Sequence, residues 1–358
     1  MLALVIRSQP PFSTVLFLTS LISLNLQLLL YRPFRIMCIA LLSTSHPQYS
    51  LILLSNRDEF LDRPTAPAHW WEPPNSHVLG GRDLQRPEKG TWLGLSKDGR
   101  IAVLTNFRDE GQEVASEKSR GAMVNAYLSS PPGDRESDEE FARRLVEDVG
   151  INDVGGFSLV FGRLHPSSAD GSSSSGLSII SNRTMDPSNL VRVVTKPGEV
   201  QGLSNSHFGD LSWPKIVHGE QLLRQSISSS AARQDPEDRL IASLFDVLSV
   251  NTFPQVPKGE DFNVYARQMR NSIFIPHVGG EGVETETSNG LRSASESCDS
   301  NHARVEVGKP GYGTQKQTVV LVSREGRVKF IERTLYDEHA RAVESQRDFE
   351  YQIEPWSL

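Results

Sequence analysis

The chain is poor in cysteine. Only Cys38 and Cys298 occur in 358 residues, so no disulfide framework can form and a reducing compartment is the natural home. Metal-ligand spacing is missing as well. His46, His69, His77 and His207 stand apart, with no HxxxH or CxxC pair, which leaves a transition-metal centre without a donor set. The net charge is −7, with no basic stripe interleaved with aromatics, and this argues against bulk nucleic-acid binding. Gly80-Gly81-Arg82 and Pro310-Gly311-Tyr312-Gly313 are too short and wrongly flanked for phosphate loops and read as turns. The hydrophobic share of 37% is low for a globular chain, as a polar insert and polar ends would make it. No internal repeat is visible.

One long apolar run is present, and it comes first. Residues 8–31 carry no charge, residues 14–30 are strongly apolar, and Arg7, Arg32 and Arg35 flank the run. Its length is near the roughly 20 residues that a membrane span needs. Three readings stand side by side. It is a signal anchor with Arg32 and Arg35 on the cytoplasmic side; or a cleaved targeting peptide, although no small-x-small site precedes Cys38; or an extension ahead of a true start at Met37. Membrane association through residues 14–30 follows only if residues 1–36 are retained.

Beyond that run the pattern is of strands, then helices, then strands. Residues 37–43 and 49–54 read as two strands joined by a His-Pro turn. The second delivers Asn56-Arg57-Asp58-Glu59 at its end, where a fold places chemistry at the rim of a sheet. Residues 63–74 and 80–89 read as loops. Residues 91–96 and 100–106 form the clearest hairpin, turned at Lys97-Asp98-Gly99. Helical spacing covers 119–128 and 138–149, the latter capped by Ser137 or Asp138. Strands follow at 157–162, 177–181 and 191–195, with a Ser-rich tip at 167–176. Helices are expected at 213–226 and 236–248, and strands at 273–275, 318–322 and 327–333. Residues 279–309 are polar, rich in Gly and Ser, and read as a disordered insert. Antiparallel hairpins throughout argue α+β rather than βαβ. A single domain over 37–334 is expected, followed by a C-terminal tail, 335–358.

Met37-Cys38-Ile39, His46-Pro47-x-Tyr49, Asn56-Arg57-Asp58-Glu59-Phe60, Arg63-Pro64, Trp70, Gly80-Gly81-Arg82-Asp83, Gly90-Thr91-Trp92-Leu93-Gly94, Leu104-Thr105-Asn106, Gly202-Leu203-Ser204-Asn205, Trp213-Pro214-Lys215 and Tyr312-Gly313-Thr314 occur in order. By these residues the chain resembles the NRDE family, also called the transport-and-Golgi-organisation protein 2 family. The resemblance implies an N-terminal-nucleophile (Ntn) hydrolase-like fold, a four-layer αββα sandwich of two antiparallel sheets. It implies roles in protein secretion, Golgi organisation, and haem or lipid handling. No cofactor is required on this reading; a small apolar or acyl ligand, haem or acyl-CoA, is the expected occupant. The implied location is cytoplasmic, in association with the Golgi or mitochondria.

The candidate site residues are Cys38, Arg57, Asp58, Asn106 and Asn205. Cys38 is the candidate nucleophile of a cysteine amidohydrolase, with its own α-amine as base if it is the first residue of the mature chain. The plainer reading of Cys38 is a small buried hydrophobe. Arg57 would lower the thiol pKa and Asp58 would hold the amine. Neighbours on a strand point to opposite faces, so a bulge at Asn56 would be needed for both to reach Cys38. Alternatively, Asp58 or Glu59 pairs with Arg57 or Arg63 and clamps a loop. Asn106 and Asn205 are candidate oxyanion-hole donors, or turn-capping amides. Trp70, Trp71 and Trp92 read as packing, or as walls of an apolar pocket.

Overall fold

The computed structural model describes residues 38–107, 119–151, 154–164, 176–254, 267–278, 311–337 and 339–354. The apolar run at 14–30, the tip at 167–175, the insert at 279–309 and Cys298 lie outside these described residues. Among the described residues, thirteen strands form two sheets. In chain order they are β1 (Ile39–Ser43), β2 (Tyr49–Phe60), β3 (Thr65–Trp70), β4 (Val78–Asp83), β5 (Leu93–Ser96), β6 (Arg100–Asn106), β7 (Phe157–Arg163), β8 (Leu177–Ser181), β9 (Val191–Val193), β10 (Val200–Leu203), β11 (Tyr312–Ser323), β12 (Arg327–Tyr336) and β13 (Ala342–Gln352). The first sheet runs β10-β1-β2-β11-β12-β13 and the second β3 through β9 in sequence order. Every pairing is antiparallel.

Strand alternation builds the layers. Ala40, Leu42, Leu51 and Leu53 join Leu95, Ile101, Val103 and Val160 in the core between the sheets. Their alternate neighbours Ile39, Leu41, Ile52 and Leu54 face the other way, onto α3 (Pro214–Arg233) and α4 (Glu237–Leu248) through Leu223, Ile227, Leu240 and Leu244. A strand buried on both faces reads as an unbroken apolar run, which is what 51–54 is. On the far side, α1 (Arg120–Leu128) and α2 (Asp138–Arg144) cover Ala102, Leu104, Phe157, Leu159 and Phe161 of the second sheet. The result is an α+β, four-layer αββα sandwich of two antiparallel sheets.

Local chemistry explains the element ends. Ser137 and Glu140 form a capping box at the start of α2, with acidic residues in its first turn and Arg143 and Arg144 in its last, each favourable to the helix dipole. Gly94 has no room for a side chain, because a Cβ there would lie 2.6 Å from Leu128 and 2.9 Å from the Leu79 carbonyl.

Several elements differ from expectation. β2 does not stop at Leu54 but continues through Asn56-Arg57-Asp58-Glu59 to Phe60, because β11 pairs with it along its whole length. The expected loops at 63–74 and 80–89 contain β3 and β4. Residues 273–275 form no strand. They are pinned irregularly, with Ile275 N–H donating to Thr314 Oγ1 at 2.9 Å and Thr314 N–H donating to the Ile275 carbonyl. The segment expected as a tail after residue 334 contributes β13, which pairs with β12 from Arg327↔Gln352 to Tyr336↔Ala342. Its polar sequence hides this, because only Phe349, Tyr351 and the following Ile353 turn into the inter-sheet core. Removing the buried Ile353 side chain (Ile353→Ala) should cost about 2–5 kcal/mol of stability, read by chemical denaturation; a loss below ~0.5 kcal/mol would mean that this end contributes no core.

Candidate functional site

Cys38 stands immediately before β1 and is buried, 4% exposed. The pair Ile39↔Asn56 sets the register, so the next step along the antiparallel ladder brings Cys38 beside Arg57. The sulfur lies 4.0 Å from the Asp58 carbonyl oxygen. Burial, followed by the negative charge of Asp58, pushes the thiol pKa up to about 12. At rest, therefore, Cys38 is a neutral thiol that needs a base.

Arg57 and Asp58 part company as strand geometry demands. Arg57 turns toward the second sheet, where its guanidinium sits 4.5 Å from the Trp92 ring, donates to Gln315 Oε1, and lies 3.7 Å from Glu59. Asp58 turns toward the helical layer. Its Oδ1 accepts from Thr314 Oγ1 at 2.7 Å, and its Oδ2 lies 3.9 Å from Lys215 Nζ with no hydrogen bond of its own. Tyr312 Oη donates to the Asp58 carbonyl at 3.1 Å. The irregularity expected at Asn56 is instead on the partner strand: Thr314 pairs with Asp58 and Lys316 with Arg57, leaving Gln315 as the extra residue. A bulge of this kind re-aims a side chain, and here Gln315 reaches Arg57. Asn56 Nδ2 donates to the Leu248 and Ile273 carbonyls and so ties β2 to the helical layer. The alternative clamp is also present, made by Glu59, whose Oε2 lies 3.7 Å from Arg57 and 3.6 Å from Arg63. Arg63 in turn binds Asp83 at 2.6 Å.

Asn205 and Asn106 join the site from the opposite direction. Ser204 Oγ donates to the Cys38 carbonyl at 2.7 Å and lies 3.2 Å from Asn205 Oδ1. Asn205 Nδ2 donates to the Asn106 carbonyl at the end of β6. Asn106 Oδ1 is buried without a hydrogen-bond partner. Cys38, Arg57 and Asp58 thus meet at the head of β1, Asn205 is linked to Cys38 through Ser204, and Asn106 is linked to Asn205 through its main-chain carbonyl. Trp71 packs in the outer core under Arg82, and Trp70 packs edge-on to Tyr351 at 5.1 Å.

The residue that reasoning from the sequence missed is Lys215. It sits in the first turn of α3, fully buried, and faces Asp58. Burial lowers its pKa, against the pull of Asp58 and Cys38. Burial raises Asp58 to about 7, against the pull of Lys215 and Thr314. The available signal was a lysine inside Trp213-Pro214-Lys215, directly after a proline that starts a helix. Among the described residues, no three His, Cys, Asp or Glu side chains gather to hold a metal ion. No helix among them is long and apolar enough to cross a membrane.

Two antiparallel sheets stacked between helical layers, with a cysteine heading an inner strand, define an α+β protein of the four-layer αββα class. The chain belongs to the family described as Transport and Golgi organisation 2, whose model matches residues 37–337. It is 32% identical over 308 residues to the human "Transport and Golgi organization protein 2 homolog", covering 86% of this chain and 94% of that protein. Over 298 residues it is 26% identical to the Drosophila melanogaster "Transport and Golgi organization protein 2", covering 81% of this chain and 89% of that one. Among solved structures, it is similar to the Caenorhabditis elegans ortholog of N-acylethanolamine-hydrolyzing acid amidase, with a TM-score of 0.40 and 12% identity over 66% of this chain and 98% of that one. It is also similar to a conjugated bile acid hydrolase variant from Clostridium perfringens, with a TM-score of 0.32 and 10% identity over 88% and 98%.

The Asp58 pKa sets a pH dependence. Between 3.8 and about 7 the folded chain keeps a proton at Asp58 that the unfolded chain has lost. Its stabilising contribution is complete below 3.8 and is lost as pH rises through about 7. Lys215 acts with the opposite sign, between its lowered value and the ordinary 10.5. Stability measured by denaturant titration at successive pH values should fall by a few kcal/mol, on the order of 1.4 per pKa unit, from weakly acidic to neutral pH. Asp58→Asn should remove that slope; an unchanged slope would refute the assignment.

Proposed function

We propose that the protein is an acyl-processing member of its family, in which Cys38 attacks the carbonyl carbon of an amide or thioester. The observation that supports this reading best is the continuous polar chain from Cys38 through Ser204 and Asn205 to Asn106. It joins the Cys38 and Asn106 main-chain carbonyls through the Ser204 hydroxyl and the Asn205 side-chain amide, so three distant parts of the sequence meet beside Cys38. With Cys38 as the first residue of the mature chain, its α-amine, of ordinary pKa about 7.7–8.0, takes the thiol proton. The sulfur adds to the carbonyl carbon, and the oxyanion accepts N–H hydrogens from Asn106 and Asn205. One such donor is worth roughly 3 kcal/mol. The C–N or C–S bond then breaks, the leaving group takes the proton, and water hydrolyses the Cys38 thioester to release the acid. Arg57 places a positive charge beside the thiol, and Asp58 orients the amine.

A second reading keeps the fold and the ligand without the chemistry: the same place holds an acyl-CoA, a lipid or haem, and the protein serves secretion and Golgi upkeep by carrying it. The burial of the Cys38 sulfur and its high pKa favour this reading.

The two readings part on one variant. On the acyl-processing reading, an electrophilic acyl probe should label Cys38, Cys38→Ser should abolish labelling, and Cys38→Ser should fail to complement a secretion or lipid defect in cells. Full complementation by Cys38→Ser would favour the carrier reading. Intact-mass analysis showing residues still attached ahead of Cys38 would remove the α-amine as base.

A further inference from the structure

Large apolar side chains bracket the first turn of α3 on its outer side. Leu211 is 67% exposed and Val217 45%. Between them Pro214 is exposed and Trp213 is half-buried. Trp213 and Val217 are one helical turn apart, so they lie on the same side of α3. Lys215, between them in sequence, turns inward and is buried facing Asp58. The turn therefore has an inner side that belongs to the candidate site and an outer side that is apolar and open to solvent. A single exposed apolar residue needs no explanation, but a cluster around a tryptophan does.

Charge is arranged around this outer side. Arg270 Nη2 donates to the Ser212 carbonyl, which holds the guanidinium beside Leu211 and Trp213. Arg270 is itself exposed, and so is Arg267 on the turn before it. The acids of the neighbouring segment are engaged within the fold. Asp210 Oδ1 accepts from Ser212 N–H at 2.9 Å, and Glu220 Oε1 accepts from Gly202 N–H at 2.7 Å. A chain of net charge −7 thus sets two arginines at the edge of an apolar surface. This arrangement is complementary to the face of an anionic bilayer. Acyl tails take leucine and valine, an indole sits at headgroup level, and lipid phosphates take guanidinium groups.

We propose that the Leu211-Trp213-Val217 surface docks the protein on an anionic phospholipid bilayer. Leu211 and Val217 enter the interface, Trp213 lies at its polar boundary, and Arg267 and Arg270 meet the phosphates. The segment that carries this surface also reaches the site. Ser204 is bonded to the Cys38 carbonyl and lies against Asn205, Phe208 packs on the inter-sheet core, and Lys215 faces Asp58. A docked bilayer would lie against the outer side of that segment, where an acyl ligand dissolved in lipid would arrive. That delivery step rests on the acyl reading of the site. The docking itself does not, because no part of it uses Cys38. It is also distinct from any insertion of residues 14–30.

The test uses the full chain with Cys38→Ser and Cys298→Ser, which leaves no other thiol. Leu211→Cys then carries a nitrobenzoxadiazole fluorophore at the surface. A companion chain carries the same fluorophore at Glu344→Cys, exposed on the edge strand β13. Vesicles of phosphatidylcholine and phosphatidylserine should shift the emission at position 211 to the blue and leave position 344 unchanged. Arg267→Gln should raise the lipid concentration for half of that shift about fivefold, as the loss of one arginine near a charged membrane predicts. An unshifted label at 211 overturns the inference, even where the chain floats with the vesicles, because the membrane is then held elsewhere. A label at 211 already blue-shifted before lipid is added also overturns it. Loss of that shift on dilution would identify a second copy as the occupant, and persistence would identify the chain's own residues. An equal response to vesicles of phosphatidylcholine alone removes the role of the arginines and overturns the anionic docking. Acyl-probe labelling of Cys38 in the parent chain is read separately, so failure of the proposed chemistry and failure of the docking are distinguishable.

Discussion

The structure depends on the antiparallel pairing of β1 and β11 on either side of β2. Because helices cover one face of this ribbon and the second sheet covers the other, all three strands are buried on both sides. Polar residues carried by such a ribbon have no access to water and must find partners within the protein. Asn56-Arg57-Asp58-Glu59 lies near the end of its central strand, with none of the four more than 5% exposed. Its charges are consequently answered one by one: Arg57 by Gln315, Trp92 and Glu59, Glu59 also by Arg63, and Asp58 by Thr314 and Lys215.

The same constraint gives the head of β1 its chemistry. A cysteine at the surface would titrate near its ordinary value; here burial holds it neutral. An exposed Asp–Lys pair would contribute little; here it is a buried pair whose partners shift one another and whose charge is felt at the sulfur. Folding tolerates such an arrangement because the sandwich around it is large and well packed. Clusters that carry perturbed groups of this kind are candidates for function rather than for stability.

The site is also assembled across the two sheets. Cys38, Arg57 and Asp58 come from the first, Asn106 from the end of β6 in the second, and Ser204 and Asn205 from the turn after β10. Side-chain contacts across this seam, from Arg57 to Trp92 and from Asn205 to the Asn106 carbonyl, tie the sheets at the point where the candidate residues meet. A change in how the sheets stack would therefore be felt at the site before it altered either sheet.

Much of this was legible in the residues. Apolar strand runs and turn residues marked the hairpin at 91–106 and the last hairpin, and helical spacing with its caps marked most helices, because those signals are local. The order of short motifs indicated the family, and Cys38, Arg57 and Asp58 lie together at the head of β1. What the sequence could not indicate is set by contacts distant along the chain. β2 extends through a charged tetrapeptide because β11, more than 250 residues away, pairs with it. β13 looks like a polar tail because only every second side chain needs to be apolar when one face meets solvent. Lys215 looks like a helix-start lysine on a solvated turn until α3 is laid against the sheet and its side chain meets Asp58. Composition and pattern by themselves determined the α+β class; only the tertiary structure decided which faces the side chains take and which charges are buried together, because strand pairing and layer packing act between residues that share no local signal.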